Sequence, residues 1–343
     1  MLSLVDVVTP TDLLDGAAAL RCESGDPRPA LVVVDLDEAD WDQAGAVAEA
    51  LRQRRSTVLV GRSTAPLPAE SAPLLEQLTC TLAPGGPGRL TIAAGDDDLT
   101  RIGAVVSQAP RAATILAGIL PLTDRSGVAD GLVVESLAYS TLLAGAEFAA
   151  WRAQAPRRAV PEPVEPVLLE RTDDVLTVTL NRPERHNAFG RAVRDGLIAG
   201  LELARLDPSI RETVVRGRGR SFCSGGDLDE FGTTADSSWS HLLRLQLSAG
   251  YAVHLLAERV RFVVHGACIG AGVEVPSFAR RVEAAADAYF QLPELSMGLV
   301  PGAGGTVSLS RRIGRWRTAF LALTNRPIDA ARALEWGLVD AIR

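Results

Sequence analysis

The chain has 343 residues, 47% of them hydrophobic, and a formal net charge of -7 at pH 7, which argues against non-specific nucleic-acid binding. Every residue counted as Lys or Arg is an arginine, so no lysine is present to form a Schiff base with a carbonyl substrate. Without a membrane-length apolar run, a signal-like N-terminus or paired cysteine spacing, we expect a reduced cytoplasmic protein with neither membrane nor metal partners.

The first 153 residues predict a small α/β domain without recognisable chemistry. Residues 30–36 form a short apolar, β-branched run typical of a buried strand, residues 41–55 carry apolar side chains at helical spacing, and residues 56–61 return to a strand pattern. Strand, helix and strand in this order predict a parallel pair joined by a right-handed crossover. A second helical pattern runs from residue 128 to residue 153.

A proline-rich segment marks the clearest domain boundary. Four prolines lie within residues 154–166, where they disfavour helix and remove backbone donors. Beyond this linker, Thr172, Asp173 and Asp174 predict the turn of a hairpin, followed by an amphipathic helix over residues 188–207 and a buried strand over 212–219. This order mirrors that of residues 30–61, which hints at internal duplication, although βαβ units are common in any α/β protein.

Two glycine-rich loops follow strand patterns in the second half of the chain. Gly225 and Gly226 lie in the segment 217–232, and the sequence HGACIGAGVE occupies residues 265–274. Glycine lets the backbone approach a ligand closely and leaves amide hydrogens free to donate, and a helix N-terminus adds the positive end of its dipole. The two loops together could hold an oxyanion, whereas either loop alone is more often a simple turn.

Two glutamates lie close to these loops. Glu274 and Glu294 each follow backbone that glycine or proline constrains, and a further glycine cluster at residues 302–305 closes the segment. Two carboxylates among tight turns suit acid/base catalysis on a small substrate. Judged by spacing alone, two surface glutamates beside ordinary turns are an equally good interpretation.

Five sequence blocks resemble the crotonase (enoyl-CoA hydratase/isomerase) superfamily. In chain order they are LTVTLNRPERHNAF, SFCSGGDLDEF, HGACIGAGVE, YFQLPELSMGLVPGAGGT and ARALEWGLVDAI, which together cover about residues 166–342. The resemblance implies a crotonase-like spiral of ββα units at residues 167–343, with the smaller N-terminal α/β domain as an addition. It also implies a bent coenzyme A thioester as substrate, no separate cofactor, and a place in fatty acid metabolism.

The resemblance assigns roles to four positions. The oxyanion hole falls on the backbone amides of Gly226 and Ala271. The family usually has glycine at the position of Ala271, so the methyl group of this alanine is expected to narrow the site beside the acyl chain. The catalytic pair falls on Glu274 and Glu294. Because many members with other activities lack one of the pair, the resemblance implies an enoyl-CoA hydratase, a lyase that adds water across the C2=C3 bond of an enoyl thioester.

The resemblance also implies further residues in substrate binding, although the motifs that carry them are less specific. Arg182 and Arg185 lie in and after the family's NRP segment, where they could pair with the phosphates of coenzyme A, although a turn with solvated arginines fits equally well. Cys223 is expected to be a small apolar filler, since no histidine is placed in sequence to activate it. The remaining residues implied in substrate binding are Ser224, Gly225, Asp227, Leu228 and Gly270.

Several alternatives stay open. Isomerase, hydratase-lyase, decarboxylase and thioester hydrolase reactions use the same oxyanion site, and a non-catalytic subunit that binds an acyl thioester or a partner is a third possibility. The thioester could be carried by coenzyme A or by an acyl carrier protein, and a homo-oligomer, trimer or hexamer, is expected. The family's usual C-terminal helices do not follow the last block, so we expect residues 1–153 to pack in their place; a decayed crotonase-like half is the alternative for this region.

Overall fold

The computed structural model of the protein describes residues 6–15, 21–23, 26–52, 57–159, 164–234 and 236–343, so the centre of the expected linker lies outside the described residues. The strands are β1 (Asp6–Val8), β2 (Arg21–Glu23), β3 (Asp26–Arg28), β4 (Leu31–Asp35), β5 (Val58–Arg62), β6 (Cys80–Leu82), β7 (Val167–Thr172), β8 (Val175–Leu180), β9 (Glu212–Gly217), β10 (Val260–Val264), β11 (Ala267–Ile269), β12 (Arg281–Ala284), β13 (Tyr289–Gln291), β14 (Ile328–Asp329) and β15 (Ala341–Ile342). The α-helices are α1 (Pro10–Leu14), α2 (Ala44–Arg52), α3 (Ala72–Leu75), α4 (Asp96–Gln108), α5 (Pro110–Arg125), α6 (Val128–Leu143), α7 (Ala146–Gln154), α8 (Arg191–Leu206), α9 (Ser237–Gln246), α10 (Ala249–Leu255), α11 (Ala271–Glu274), α12 (Gly305–Ile313), α13 (Arg315–Thr324) and α14 (Ala330–Trp336).

The N-terminal sheet has the strand order β1-β4-β5-β6, and all its neighbours in the described part of the chain are parallel. The predicted parallel pair is confirmed, with Leu31 of β4 opposite Val58 of β5. Helix α2 connects these two strands, and its buried residues lie at helical spacing, as an amphipathic crossover requires. They are Ala44, Val47, Ala48 and Leu51.

The helices that follow this sheet pack against the second half of the chain. Helices α4 and α5 contact α13, and α5 and α6 contact α12. One cluster of buried side chains includes Leu116 and Leu120 of α5 together with Val307 of α12 and Leu321 of α13. The hydrophobic core therefore continues across the proline-rich segment, and the domain division at residues 154–166 stays a prediction.

The helical pattern of residues 128–153 forms two helices rather than one. Gly145 has an extended backbone, with φ -85 and ψ 160, and it precedes the first residue of α7. Glycine is the residue with the weakest preference for continuing a helix apart from proline, so the break falls where the sequence permits it.

The second half of the chain builds two sheets from repeated pairs of strands. The larger sheet has the order β15-β12-β10-β9-β8-β7, and in the described residues only the β7–β8 hairpin pairs antiparallel. A smaller sheet has the order β11-β13-β14. Consecutive strands alternate between the two, since β10 and β12 join the larger sheet while β11 and β13 join the smaller one. This alternation is the repeat expected of a ββα spiral.

Among the described residues, no single helix is both long and apolar enough to cross a membrane. Helices α4 and α5 taken together, and helices α6 and α7 taken together, have the length and composition of a membrane span. The two helices of the first pair meet at a bend of 110°, and those of the second pair at a bend of 61°. Both pairs contribute side chains to the buried core, among them Ile102, Leu116, Leu132 and Phe148.

Candidate active site

Glu274 lies at the end of the short helix α11 and is almost fully buried, with 2% of its surface exposed. Its Oε2 accepts hydrogen bonds from the backbone amides of Ala303 and Gly305, each at 2.8 Å. A Cβ at Gly305 would lie 2.7 Å from Cγ of Glu274, so this close approach of the loop requires glycine. The glycine cluster after residue 301 thus holds one carboxylate oxygen and leaves Oε1 without a hydrogen-bond partner in the described residues.

Glu294 lies beside it on a short 3-10 helix, Glu294–Met297, that follows Pro293. It is 7% exposed, and its buried Oε2 has no hydrogen-bond partner among the described residues. A Cβ placed on Gly270 would lie 2.6 Å from Oε1 of Glu294 and 3.8 Å from Oε1 of Glu274, so these two oxygens are at most about 6.4 Å apart, the sum of the two distances. Gly270 also has φ +50, which favours glycine. The two predicted glutamates therefore lie side by side.

A third glutamate, Glu135 of α6, reaches the same loop and was not identified from the sequence. Its Oε1 accepts from the amide of Gly304 at 2.7 Å, and its Oε2 accepts from the amide and the hydroxyl of Thr306 at 2.8 and 2.7 Å. Four successive amides thus alternate between two carboxylates, because Ala303 and Gly305 donate to Glu274. No motif covers this region, and a single glutamate in a mostly apolar helix was the only available signal.

Burial raises the pKa of all three carboxyl groups, because a buried site disfavours the charged form. It raises the pKa of Glu294 to about 8, with a further increase from the charge of Glu135, and that of Glu135 to about 7. The pKa of Glu274 is raised well above its usual range by burial and by repulsion from Glu294 and Glu135, against the two amides that lower it. Near neutral pH, the three carboxyl groups together therefore keep one or more protons, which suits acid/base chemistry.

Two backbone amides of the glycine-rich loops complete the site. Among the described residues, the amide hydrogens of Gly226 and Ala271 reach no protein acceptor, whereas the neighbouring amide of Gly270 donates to the carbonyl of Gln291 at 2.9 Å. Gly225 has φ +93, which favours glycine, and a Cβ at Gly226 would lie 2.3 Å from the ring of Phe231, which would then have to move. The local backbone thus presents two free donors.

One cavity of about 290 Å³ brings these groups together. Its wall contains both free amide residues and all three glutamates. Helix α6 contributes further side chains to the wall, so a region without any family motif shapes the candidate site. Those side chains are Leu132, Ser136, Tyr139 and Leu143.

The expected phosphate contacts of Arg182 and Arg185 are not supported by the structure. The Arg182 side chain is 3% exposed and its Nη1 lies 3.6 Å from Oδ2 of Asp227. Nη2 of Arg185 donates to Oδ1 of Asp227 and to Oδ2 of Asp229, both at 2.7 Å. The buried Asp227 needs a counter-charge, so these arginines form an ion-pair cluster rather than a solvated turn, and their contact with the phosphates of coenzyme A stays a prediction.

The other expected substrate-binding residues divide into two groups. Asp227 lines the cavity, while Ser224, Gly225, Leu228 and Gly270 do not, and Leu228 is 46% exposed. Gly225 and Gly270 act on the site through the turns that their positive φ angles permit.

Cys223 is buried, and burial raises the pKa of its thiol to about 12, which fits a packing residue rather than a nucleophile. Within the described residues, no three His, Cys, Asp or Glu side chains are grouped to hold a metal ion.

The repeated ββα order and this cavity define a crotonase-like enzyme. The sequence model of the family described as enoyl-CoA hydratase/isomerase matches residues 170–343, just over half of the chain. The chain therefore belongs to this family, and the expected crotonase-like α/β fold is confirmed.

Known relatives match about half of the chain. A 2,3-dehydroadipyl-CoA hydratase of Escherichia coli (strain K12) is 34% identical over 176 residues, which are 51% of this chain and 68% of the relative. A 1,2-epoxyphenylacetyl-CoA isomerase of the same organism is 33% identical over 176 residues, 48% of this chain and 64% of the relative. The solved structure of an enoyl-CoA hydratase from Thermoplasma volcanium GSS1 matches with 29% identity and a TM-score of 0.49, covering 52% of this chain and 71% of that one. This chain spans about two thirds of the length of these proteins.

Proposed function

We propose that the protein hydrates an enoyl thioester by adding water across its C2=C3 bond. The observation that carries this proposal is the meeting of Glu274, Glu294 and the free amides of Gly226 and Ala271 in one cavity. Hydration needs a base for the attacking water at C3, an acid for C2 and donors for the enolate oxygen that develops between them. The site holds one candidate for each role.

Burial raises the pKa of both glutamates, so the difference that separates their proposed roles is the set of hydrogen-bond donors on each carboxyl group. The amides of Ala303 and Gly305 stabilise negative charge on Glu274, which suits the base that takes a proton from water. Glu294 has no such donors on its buried Oε2, and burial raises its pKa to about 8, which suits the acid that protonates C2. Because the carboxyl groups interact, their protonation is shared by the pair, and one water can connect both tasks.

The amides of Gly226 and Ala271 would stabilise the thioester oxygen as it gains negative charge. Such donors act in the transition state more than in the ground state, and removing one typically raises the barrier by ~3 kcal/mol. Ala271 lines the cavity, and we expect its methyl group to reduce the space beside the acyl chain. We expect this to affect which acyl groups fit and to leave the reaction type unchanged.

The proposal is tested with crotonyl-CoA and a panel of longer and aromatic enoyl-CoA thioesters. Hydration removes the enoyl absorbance and, in water enriched with oxygen-18, places the heavy isotope on C3 of the product. Tight binding of the panel without any loss of absorbance would contradict hydration and favour the non-catalytic alternative.

An isomerase is the second candidate, because one relative is named an isomerase and the same oxyanion site serves that reaction. Isomerisation moves a proton and leaves the product mass unchanged in heavy-oxygen water. A product of unchanged mass in heavy-oxygen water that takes up deuterium in a separate experiment in deuterium oxide would therefore replace the hydratase proposal with this one.

The carrier and the assembly stay predictions. Comparing crotonyl thioesters of coenzyme A and of an acyl carrier protein would identify the carrier by the ratio of kcat/KM values. Light scattering of the purified protein would test for the expected trimer or hexamer.

A further inference from the structure

Arg244 of α9 lines the cavity, and part of its guanidinium group makes no hydrogen bond to the described residues. Its Nη1 donates to the hydroxyls of Ser136 and Ser140, each at 3.1 Å, and its Cζ lies 4.4 Å from the ring centroid of Tyr139. No hydrogen bond from Nε or Nη2 is found to any described residue, and neither atom is enclosed without a partner. These two groups are therefore accessible to a ligand of the cavity that Arg244 lines.

The charge of Arg244 has no directly paired carboxylate among the described residues. Both oxygens of Glu135, which acts on Arg244 at longer range, are occupied by the donors of Gly304 and Thr306. By contrast, the partly buried Arg185 donates to two aspartates at 2.7 Å. A partly buried cation is usually paired, so an open guanidinium edge in a cavity suggests that the counter-charge arrives with a ligand.

The geometry of the free groups specifies the ligand chemistry. Nε and Nη2 form one edge of the planar guanidinium, and this edge matches the two oxygens of a carboxylate through parallel hydrogen bonds. The serine hydroxyls and the Tyr139 ring hold the opposite edge and one face, which reduces the entropy lost when a ligand binds.

The cavity that Arg244 lines also contains apolar side chains, as the stem of an acyl chain requires. The leucines in this wall are Leu132, Leu143, Leu243, Leu245 and Leu247. A chain with an apolar stem and an anionic end would bury its methylene groups there and pair its end with Arg244.

We propose that Arg244 selects thioesters whose acyl chain ends in a carboxylate. This inference rests on the proposed function only in taking a thioester as the ligand of the cavity. It concerns binding, so it can be tested with saturated thioesters, which cannot be hydrated.

The test measures equilibrium binding by calorimetry for matched pairs of saturated coenzyme A thioesters. The pairs are succinyl with butyryl, glutaryl with pentanoyl, and adipyl with hexanoyl. For at least one pair, we expect the wild-type protein to bind the carboxylate form at least about tenfold more tightly, since hydrogen bonds between charged groups exceed neutral ones in strength. The preferred pair also reports the length of the chain.

Arg244→Gln should remove this preference while keeping the affinity for the uncharged partner within about threefold. Arg244→Lys should keep only part of this preference. The positive charge remains, but lysine cannot form two parallel hydrogen bonds to a carboxylate. Arg280→Gln is the matched control, since Arg280 is exposed, pairs with Glu258 and lies outside this cavity. If Arg244→Gln does not fold, Ser140→Ala replaces it, with an expected severalfold loss of preference from the loosened guanidinium.

Equal binding within every pair by the wild-type protein would overturn the inference, as would a preference that survives in Arg244→Gln. Tighter binding of 6-hydroxyhexanoyl-CoA than of adipyl-CoA would also overturn it, by identifying a neutral acceptor as the ligand. Hydration is measured separately with the enoyl panel. A carboxylate preference without hydration would contradict the proposed reaction alone, and hydration without the preference would contradict the role of Arg244 alone.

Discussion

Two clusters of charged residues near the site use carboxylates in opposite ways. In the glutamate cluster, formed by Glu135, Glu274 and Glu294, burial raises the pKa values and no ion pair with an arginine is present among the described residues. In the aspartate cluster, formed by Asp227 and Asp229, arginines pair with both carboxylates. A hydrogen bond from Arg185, and then one from the backbone amide of Arg158, lower the pKa of Asp229 to about 2.

The aspartate cluster therefore contributes to the stability of the fold, whereas the glutamate cluster contributes to the reaction. The paired aspartates fix the loop that carries the Gly226 amide, so they act as a support. Unpaired glutamates can exchange protons near neutral pH, which is the property that catalysis needs and that a stable interior avoids. The two clusters should therefore respond differently to the loss of a charge.

The largest effect is expected when the glutamate cluster loses a catalytic group. Glu274→Gln and Glu294→Gln should each lower kcat by about 10²- to 10⁴-fold, since each removes an acid or base from the reaction. Thioester affinity should change little, because neither carboxylate is needed to hold the ligand. Steady-state kinetics and calorimetry with a saturated thioester measure the two quantities, and near-normal hydration by both variants would refute the assignment.

The aspartate cluster should lose stability instead. Arg185→Met leaves Asp227 and Asp229 without their shared donor, and we expect the free energy of unfolding to fall by about 3 kcal/mol. Arg216→Met is the control, because Arg216 and Glu170 form an exposed pair at 3.9 Å and should contribute less than about 1 kcal/mol. Urea denaturation measures both, and equal losses in the two variants would contradict the contrast between the clusters.

A smaller effect is expected from the pH dependence of stability. The folded-state pKa of Glu294, about 8, lies above the ordinary value of 4.5, so the folded protein keeps a proton that the unfolded chain releases. This contribution is fully present below pH 4.5 and is lost as the pH rises through 8. We therefore expect Glu294→Gln to gain about 2 kcal/mol relative to the wild-type protein between pH 6 and pH 9.

Denaturation curves at the two pH values would measure this gain. Glu258→Gln, at an exposed residue, should show no such change. A stability difference for Glu294→Gln that is constant with pH would show that the carboxyl group is not protonated in the folded protein at pH 6.

The family resemblance of the sequence, and not residue spacing alone, predicted the parts of the site that lie within its motifs. Glu274, Glu294 and the two amide positions lie next to glycines and prolines whose conformations are determined nearby, and the parallel pair β4–β5 follows from short apolar runs. Glu135 could not be predicted in this way, because its partners Gly304 and Thr306 lie about 170 residues further along the chain. The burial of Arg182 was equally out of reach, since it depends on Asp227 in another loop.

Substitution of Glu135 is expected to have the smallest effect on kcat, but it distinguishes two possible roles of this residue. Glutamine has one acceptor oxygen where Glu135 accepts three hydrogen bonds, so Glu135→Gln should loosen the loop that holds Glu274 and lower kcat about tenfold. Its charge raises the pKa values of Glu274 and Glu294, so its removal should also move the acidic limb of the pH–rate profile to lower pH.

Thr306→Val separates these two effects, because it removes one hydroxyl donor and keeps the charge of Glu135. We expect a smaller decrease in kcat and an acidic limb at the wild-type position. If the limb also stays in place in Glu135→Gln, then Glu135 acts on the loop alone, and the third carboxylate belongs with the supporting cluster rather than with the reactive one.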